Sequence, residues 1–296
     1  MREAARPSLA GLTTLRIGGN AIAELLLEDT DDFEKLPERL RAIGGAPVVL
    51  GAGSNILAQD GELPIVLVRP CFLQQLEILR EINGKVFVRA GAAVSMSRLL
   101  RFCMKNGLSG LEGLVGIPGS VGGSVAMNAG SFGTEICANI ERIKILSNNS
   151  VKEILAENIL YGYRSLRVSK ENLDFIVLEA TFSLTNASID GIRKHMCHNF
   201  FEKKSKQPVT AWSAGCVFKN PLPEMPAGKL LDLAGFRGKK MGGMAFSPLH
   251  ANFLINEGNG CATAALDLMH EAREAVRRRF GFVLETEVRV VPCLSQ

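Results

Sequence analysis

Fifteen residues, Gly116-Ile-Pro-Gly-Ser-Val-Gly-Gly-Ser-Val-Ala-Met-Asn-Ala-Gly130, constrain this chain more than any other stretch. They include five glycines and no charge. Glycine adopts positive φ freely and lets a second surface approach the backbone. Such a run makes a poor helix and a poor strand. A plain surface loop is usually polar, yet this one carries Ile117, Val121, Val125 and Met127. The favoured reading is a buried cradle that offers bare backbone N–H groups to a ligand, as anion-binding loops do.

At 296 residues the chain has room for about two domains. No stretch approaches the roughly 20 apolar residues that span a bilayer. No apolar segment of a signal peptide follows Met1-Arg-Glu-Ala-Ala-Arg-Pro7, so a cytosolic address is expected. The seven cysteines form no CxxC pair and read as reduced thiols. Net charge is +4, unevenly spread. Residues 1–185 hold 19 basic and 20 acidic side chains, and residues 186–296 hold 15 and 10. A basic C-terminal part suits an anionic small molecule. Three of its charges, Arg277 to Arg279, fall in the last turn of an expected helix and complement its dipole. One Trp, two Tyr and no basic run interleaved with aromatics argue against nucleic-acid binding. Nothing points to a membrane or to an obligate protein partner.

Strands are expected at Ile22–Glu28, Pro47–Leu50, Pro64–Val68, Lys85–Ala90, Ile140–Leu146, Phe175–Leu184, Cys216–Phe218 and Glu287–Val291. Helices are expected at Met96–Asn106, Ala187–Lys204, Ala227–Ala234 and Ala262–Phe280. The last has apolar positions 262, 265, 266, 269, 272, 276 and 280, with Gly281 after it. Strands and helices do not alternate strictly, so the class is α+β. The long helix after Phe175–Leu184 marks a domain boundary, giving parts 1–185 and 186–296.

Gly51-Ala-Gly-Ser-Asn55 begins like a dinucleotide fingerprint, but the third glycine and the following helix are missing. No GxxxxGK[ST] run exists. What remains is two glycine loops converging on one pyrophosphate. His195 and His198 tempt a metal reading, but they stand among Arg193, Lys194, Lys203 and Lys204 with one carboxylate nearby, Glu202. A solvated helix face is favoured over a metal site. Cys216 lies among small residues, with Lys219 and Asn220 near; a structural thiol is the default. Arg164, beside Tyr161 and Tyr163, either clamps a carboxylate or stacks on a tyrosine. Glu285 and Glu287 share a strand face and either serve a site or pair with Arg289. Local chemistry leaves both choices open.

Nine motifs occur in an order that resembles the bacterial UDP-N-acetylenolpyruvoylglucosamine reductases. They are Thr14–Gly19 with Ala21, Gly51–Asn55, Gly116–Gly123, Met127-Asn-Ala-Gly130, Tyr163-Arg164, Ala214-Gly-Cys-Val-Phe-Lys-Asn-Pro221, Ala227-Gly-Lys-Leu-Leu-Asp232, His250-Ala-Asn-Phe253 and Glu285-Thr-Glu-Val-Arg289. The resemblance covers nearly the whole chain and is closest to the compact subclass. It implies a vanillyl-alcohol-oxidase-like (PCMH-type) FAD-binding fold over residues 1–185, in two subdomains dividing near 70, and an α+β substrate domain over 186–296. Non-covalent FAD would be held by Gly51, Gly53, Ser54, Asn55, Gly116, Ile117, Gly119, Ser120, Gly122, Gly123, Asn128, Ala129 and Gly130.

The implied reaction passes a hydride from NADPH through FAD to C3 of the enolpyruvyl group of a UDP-sugar, with C2 then protonated. Arg164 and Glu287 match the residues that stabilise the enolate. Lys219, Asn220, His250 and Asn252 match the substrate side. Cys216 stands where serine is usual for the proton donor. A thiol, with pKa about 8.5, is a far stronger acid than an alcohol. It must stay protonated, and Lys219 nearby would oppose that. Two smaller departures are Leu166 in place of a serine, with Ser165 just before it, and Phe132 where an aromatic hydroxyl is familiar. Rival readings are another flavin oxidase or dehydrogenase acting on an alcohol or sugar, and a non-catalytic nucleotide-binding protein.

Overall fold

The run Ile65–Val68 is apolar on both faces of its strand, so it belongs in the middle of a sheet. In the computed structural model, which describes residues 1–168 and 175–292, that is where it lies. Strand Glu62–Pro70 is flanked by Asn20–Leu27 and Ala46–Val49, both parallel to it, and Arg2–Ala5 closes one edge antiparallel. Helix Asp32–Ile43, with Phe33 and Leu36 buried, carries the chain between parallel strands.

A second sheet is antiparallel, ordered Ser150–Leu155, Ile140–Ser147, Ile176–Asn186, Lys85–Gly91 and Leu76–Ile82. Its core joins Val88, Ile143 and Phe182 to Leu99 of helix Met96–Lys105 and to Val121 and Val125. The third sheet is also antiparallel: Trp212–Cys216, Phe253–Asn256, Met244–Phe246 and Lys240–Met241. Helices Ala227–Leu233 and Ala262–Phe280 pack with it around Phe218, Phe246 and Leu268.

The third unit is stitched to the first. Leu15, Ile17 and Leu57 are buried in its core. Strand Arg289–Val291 pairs in parallel with Ile56–Ala58. Thr14 Oγ1 donates to Ser213 O at 2.6 Å, and Asn256 Nδ2 donates to Leu15 O at 3.1 Å. The Asp60 carboxylate accepts from Ala262 N and Thr263 N at 3.0 and 2.8 Å, capping the longest helix.

Three expectations need correction. Val121–Ala126 inside the glycine run is a short α-helix. Ser120 caps it, accepting from Gly123 N, and Val121, Ser124 and Val125 are buried, so burial overrides weak propensity. Helix Ile189–Lys206 packs against residues 112–114 and helix Met96–Lys105, on the N-terminal side of the expected boundary. It buries only Ile192, Asn199 and Lys203. Glu285 and Glu287 precede the last strand, which begins at Arg289. They do not share a fate: the Glu285 side chain is 75% exposed and that of Glu287 is 12%. Cys293 lies outside the described residues.

Candidate active site

Strands Ile159–Gly162 and Ser165–Val168 form a hairpin whose two-residue turn is Tyr163-Arg164. Arg164 has φ 54°, a conformation that costs a non-glycine residue on the order of 1 kcal/mol. Its side chain shows what holds it there. Nε donates to Glu287 Oε1 at 2.5 Å, and one terminal nitrogen donates to Gly130 O at 3.3 Å. Glu287 comes from 123 residues away. Its backbone is fixed twice: its N–H donates to Val217 O at 2.8 Å, and its carbonyl accepts from Asn55 Nδ2 at 3.1 Å. The pairing with Arg289 left open by the sequence is replaced by pairing with Arg164.

Cys216 ends strand Trp212–Cys216 and stands within electrostatic reach of both Glu287 and Arg164. Burial, with the Glu287 charge added, pushes its thiol up to about 12. The thiol therefore keeps its proton at neutral pH. Lys219 does not oppose this, because its ammonium is turned to Glu285 at 3.2 Å. Burial also pushes the Glu287 carboxyl above its usual range, against the pull of Arg164. Burial works against the Arg164 charge, but Glu287 outweighs it and the guanidinium is held more firmly protonated.

Tyr163, one of the two tyrosines that the sequence sets beside Arg164, lies in the same cluster. Its ring centroid is 5.1 Å from the Arg164 guanidinium carbon, and its hydroxyl accepts from Asn220 N at 3.4 Å. Burial and Glu287 raise its pKa, so it too is neutral. Lys203 departs from the solvated helix face expected of its neighbours. It is only 5% exposed, and nothing in the sequence signals that.

The four substrate-side candidates have many of their polar groups engaged. Lys219 is paired with Glu285. The Asn220 side chain accepts from Ala227 N at 3.0 Å. Asn252 braces the chain beyond Cys216, accepting from Phe218 N and donating to Phe218 O at 3.0 and 2.8 Å. His250 Nδ1 accepts from Asn252 N at 3.2 Å, so Nε2 carries the proton and is a donor. Burial, with Arg237 nearby, lowers its pKa and keeps it neutral.

The two glycine loops meet. Ser54 Oγ donates to Pro118 O at 3.1 Å, and a Cβ on Gly51 would stand 2.5 Å from Ser120 Oγ. Gly53 has φ 64°, and a Cβ there would lie 2.2 Å from Leu12 O. The N–H groups of Gly51, Ala52, Gly53 and Ser54 donate to no other described residue. Uncommitted N–H donors on a backbone stripped of side chains fit a diphosphate. Asn128 was expected in this cradle, but its side chain is internal. Nδ2 donates to Gly162 O at 2.9 Å and Oδ1 accepts from Cys137 N at 3.3 Å, tying the glycine run to the Arg164 hairpin.

Residues 23–150 match the model of an FAD binding domain. With the joined glycine loops, this places the molecule among the FAD-binding oxidoreductases. Residues 207–291 match the UDP-N-acetylenolpyruvoylglucosamine reductase C-terminal domain. The enzyme of that name from Nitratidesulfovibrio vulgaris is 47% identical over 97% of this chain and 98% of its own. The one from Halalkalibacterium halodurans is 34% identical over 96% of this chain and 92% of its own. The crystal structure of the Thermus caldophilus enzyme superposes with a TM-score of 0.82 at 30% identity, covering 99% of this chain and all of that one. The chain belongs to the UDP-N-acetylenolpyruvoylglucosamine reductase family. The α+β class expected for the chain is observed, and its fold is that of the Thermus caldophilus enzyme.

Proposed function

We propose that this chain reduces the enolpyruvyl group of UDP-N-acetylglucosamine enolpyruvate to UDP-N-acetylmuramate, with NADPH as donor and FAD as non-covalent carrier. This is a step of peptidoglycan precursor synthesis. The observation that carries the reading is the meeting of Arg164, Glu287 and a protonated Cys216, which an alcohol oxidase has no need to combine. FAD would be held by Gly51, Gly53, Ser54, Asn55, Gly116, Ile117, Gly119, Ser120, Gly122, Gly123, Ala129 and Gly130, with Asn128 bracing them from behind. When bound, it supplies the hydride that reaches C3 of the substrate.

The chain's own residues handle charge and the proton. As C3 accepts hydride, negative charge spreads from C2 into the substrate carboxylate. Arg164, fixed in advance by Glu287, stabilises that charge without reorganising. Cys216 then gives the Sγ proton to C2. His250 offers Nε2–H, and Lys219 and Asn220 line the sugar side. The helix Ile189–Lys206 belongs to the FAD-binding part by its packing, so the substrate domain starts near 207 rather than 186. We place the reaction in the cytosol; no described helix is long and apolar enough to cross a membrane.

A visible spectrum tests the reading. Purified protein should show flavin absorbance that NADPH bleaches and the enolpyruvyl UDP-sugar restores. Reoxidation by an alcohol-linked cycle with oxygen, indifferent to the enolpyruvyl sugar, would sink it.

A further inference from the structure

Lys203 is the charged group that this mechanism leaves without a task. The other basic residues of its helix, Arg193, Lys194, Lys204 and Lys206, are exposed. Lys203 turns inward. Its Nζ donates to Val115 O at 2.7 Å, and the ammonium lies 5.5 Å from the centroid of the Phe132 ring. A Cβ on Gly116, in the flavin cradle, would touch its Cδ at 3.2 Å. Arg164 is near enough for the two positive charges to repel. One helical turn back, Asn199 is 4% exposed, and its Nδ2 has no partner among the described residues.

Charge accounting shows what is missing. Arg164 is balanced by Glu287 and Lys219 by Glu285, while Cys216, Tyr163 and His250 are neutral. Lys203 has no carboxylate partner among the described residues and uses one of its three donors. An ammonium taken out of water without a counter-ion is costly, and burial with the Arg164 charge lowers its pKa to about 8. At neutral pH it is still mostly charged. An anion arriving between Lys203 and Arg164 relieves both the repulsion and the unmet donors. The substrate carries its carboxylate on the carbon that Cys216 protonates, within the reach of Arg164. Its diphosphate is at the other end.

We propose that Lys203 is a substrate-positioning residue whose ammonium, together with Arg164, grips the carboxylate of the enolpyruvyl group. The proposal rests on the reaction assigned above. Lys203 thereby turns C2 and C3 toward their partners and selects for the acid over UDP-sugars that lack the carboxylate. The unpartnered Asn199 amide lies on the same helix face, one turn from the gripped group.

The test uses the FAD-loaded protein and its K203M and K203R variants. Dissociation constants are read from the perturbed flavin spectrum for the enolpyruvyl UDP-sugar and for UDP-N-acetylglucosamine, which lacks the carboxylate. K203M should weaken the first by about 10–100-fold, the range of one charge-assisted hydrogen bond, and the second by less than about twofold. K203R should recover most of the loss. Unchanged affinity for the enolpyruvyl sugar in K203M, or equal loss for both ligands, overturns the proposal; equal loss means that Lys203 only props up Val115. Wild-type protein that ignores the enolpyruvyl sugar altogether overturns the parent reading, and this one with it.

Discussion

Replacing Cys216 by alanine tests its proposed role as proton donor. The thiol titrates at about 12. At pH 8 all but about one molecule in ten thousand holds the proton ready, by the usual tenfold per unit. A positioned general acid contributes about 10²–10⁴ in rate, or roughly 3–5 kcal/mol of barrier. Single-turnover absorbance separates the half-reactions. C216A should be reduced by NADPH at the wild-type rate and reoxidised by the enolpyruvyl sugar at least 100-fold more slowly. C216S separates acid strength from simple presence. A hydroxyl in the same pocket meets the same burial, so it stays the weaker acid by about seven units, taking a free thiol and water as guides. Because proton-transfer rate follows acid strength, serine should be slower than cysteine where protonation limits. The expected order of reoxidation is cysteine, serine, alanine. Alanine within threefold of wild type would refute the donor role. Serine as fast as cysteine would refute the argument from acidity while keeping the donor.

Glu287→Gln should leave flavin reduction intact and slow reoxidation by about 10²–10³, the range seen when one pre-placed charge-stabilising group is lost; the same single-turnover traces check it. Gly122→Val should lose flavin from the purified protein, because a Cβ there already stands 2.8 Å from Ala92 Cβ, and overpacking costs about 1–3 kcal/mol; the absorbance ratio of flavin to protein measures it. Alkaline stability should fall steeply from pH 9 toward 12. Burial raises the thiols of Cys103, Cys137 and Cys216 from near 9 to about 12, so the folded state holds protons that the unfolded chain has released. Lys203, lowered to about 8, opposes them by one proton up to its ordinary pKa. Net release on unfolding should be about two protons near pH 10, read from the slope of denaturation free energy against pH; a flat profile there contradicts the burial of these thiols.

The sequence disclosed most where a pattern is local. Helix Ala262–Phe280 is found to the residue, since its apolar stripe and Gly281, at φ 76°, are both encoded in consecutive positions. Helix Asp32–Ile43 escaped notice because Pro37 sits inside it and only its first half is buried. The glycine helix escaped because its support, Ala92 and the Ser120 cap, decides what propensity cannot. At the site, Arg164 and Glu287 were legible as motif residues, but their pairing is not, with 123 positions between them. Lys203 was hidden by its exposed neighbours: in a run of lysines no composition says which one faces inward. Asn128 and Asn252 brace their loops through internal hydrogen bonds, and a polar residue that braces a loop looks in sequence like one that binds a ligand.

The borrowing of Leu15, Ile17 and Leu57 by the C-terminal core bears on how such a gene can recombine. A crossover near residue 207 would look clean in an alignment, since one family model begins there. It would still marry the core of one parent to three side chains of the other. Chimeras that carry residues 14–17 and 56–60 along with the C-terminal part keep that core, the Asp60 cap and the ladder to Arg289–Val291 from a single lineage. The heritable module is thus discontinuous, and its ends are defined by packing rather than by the order of the codons.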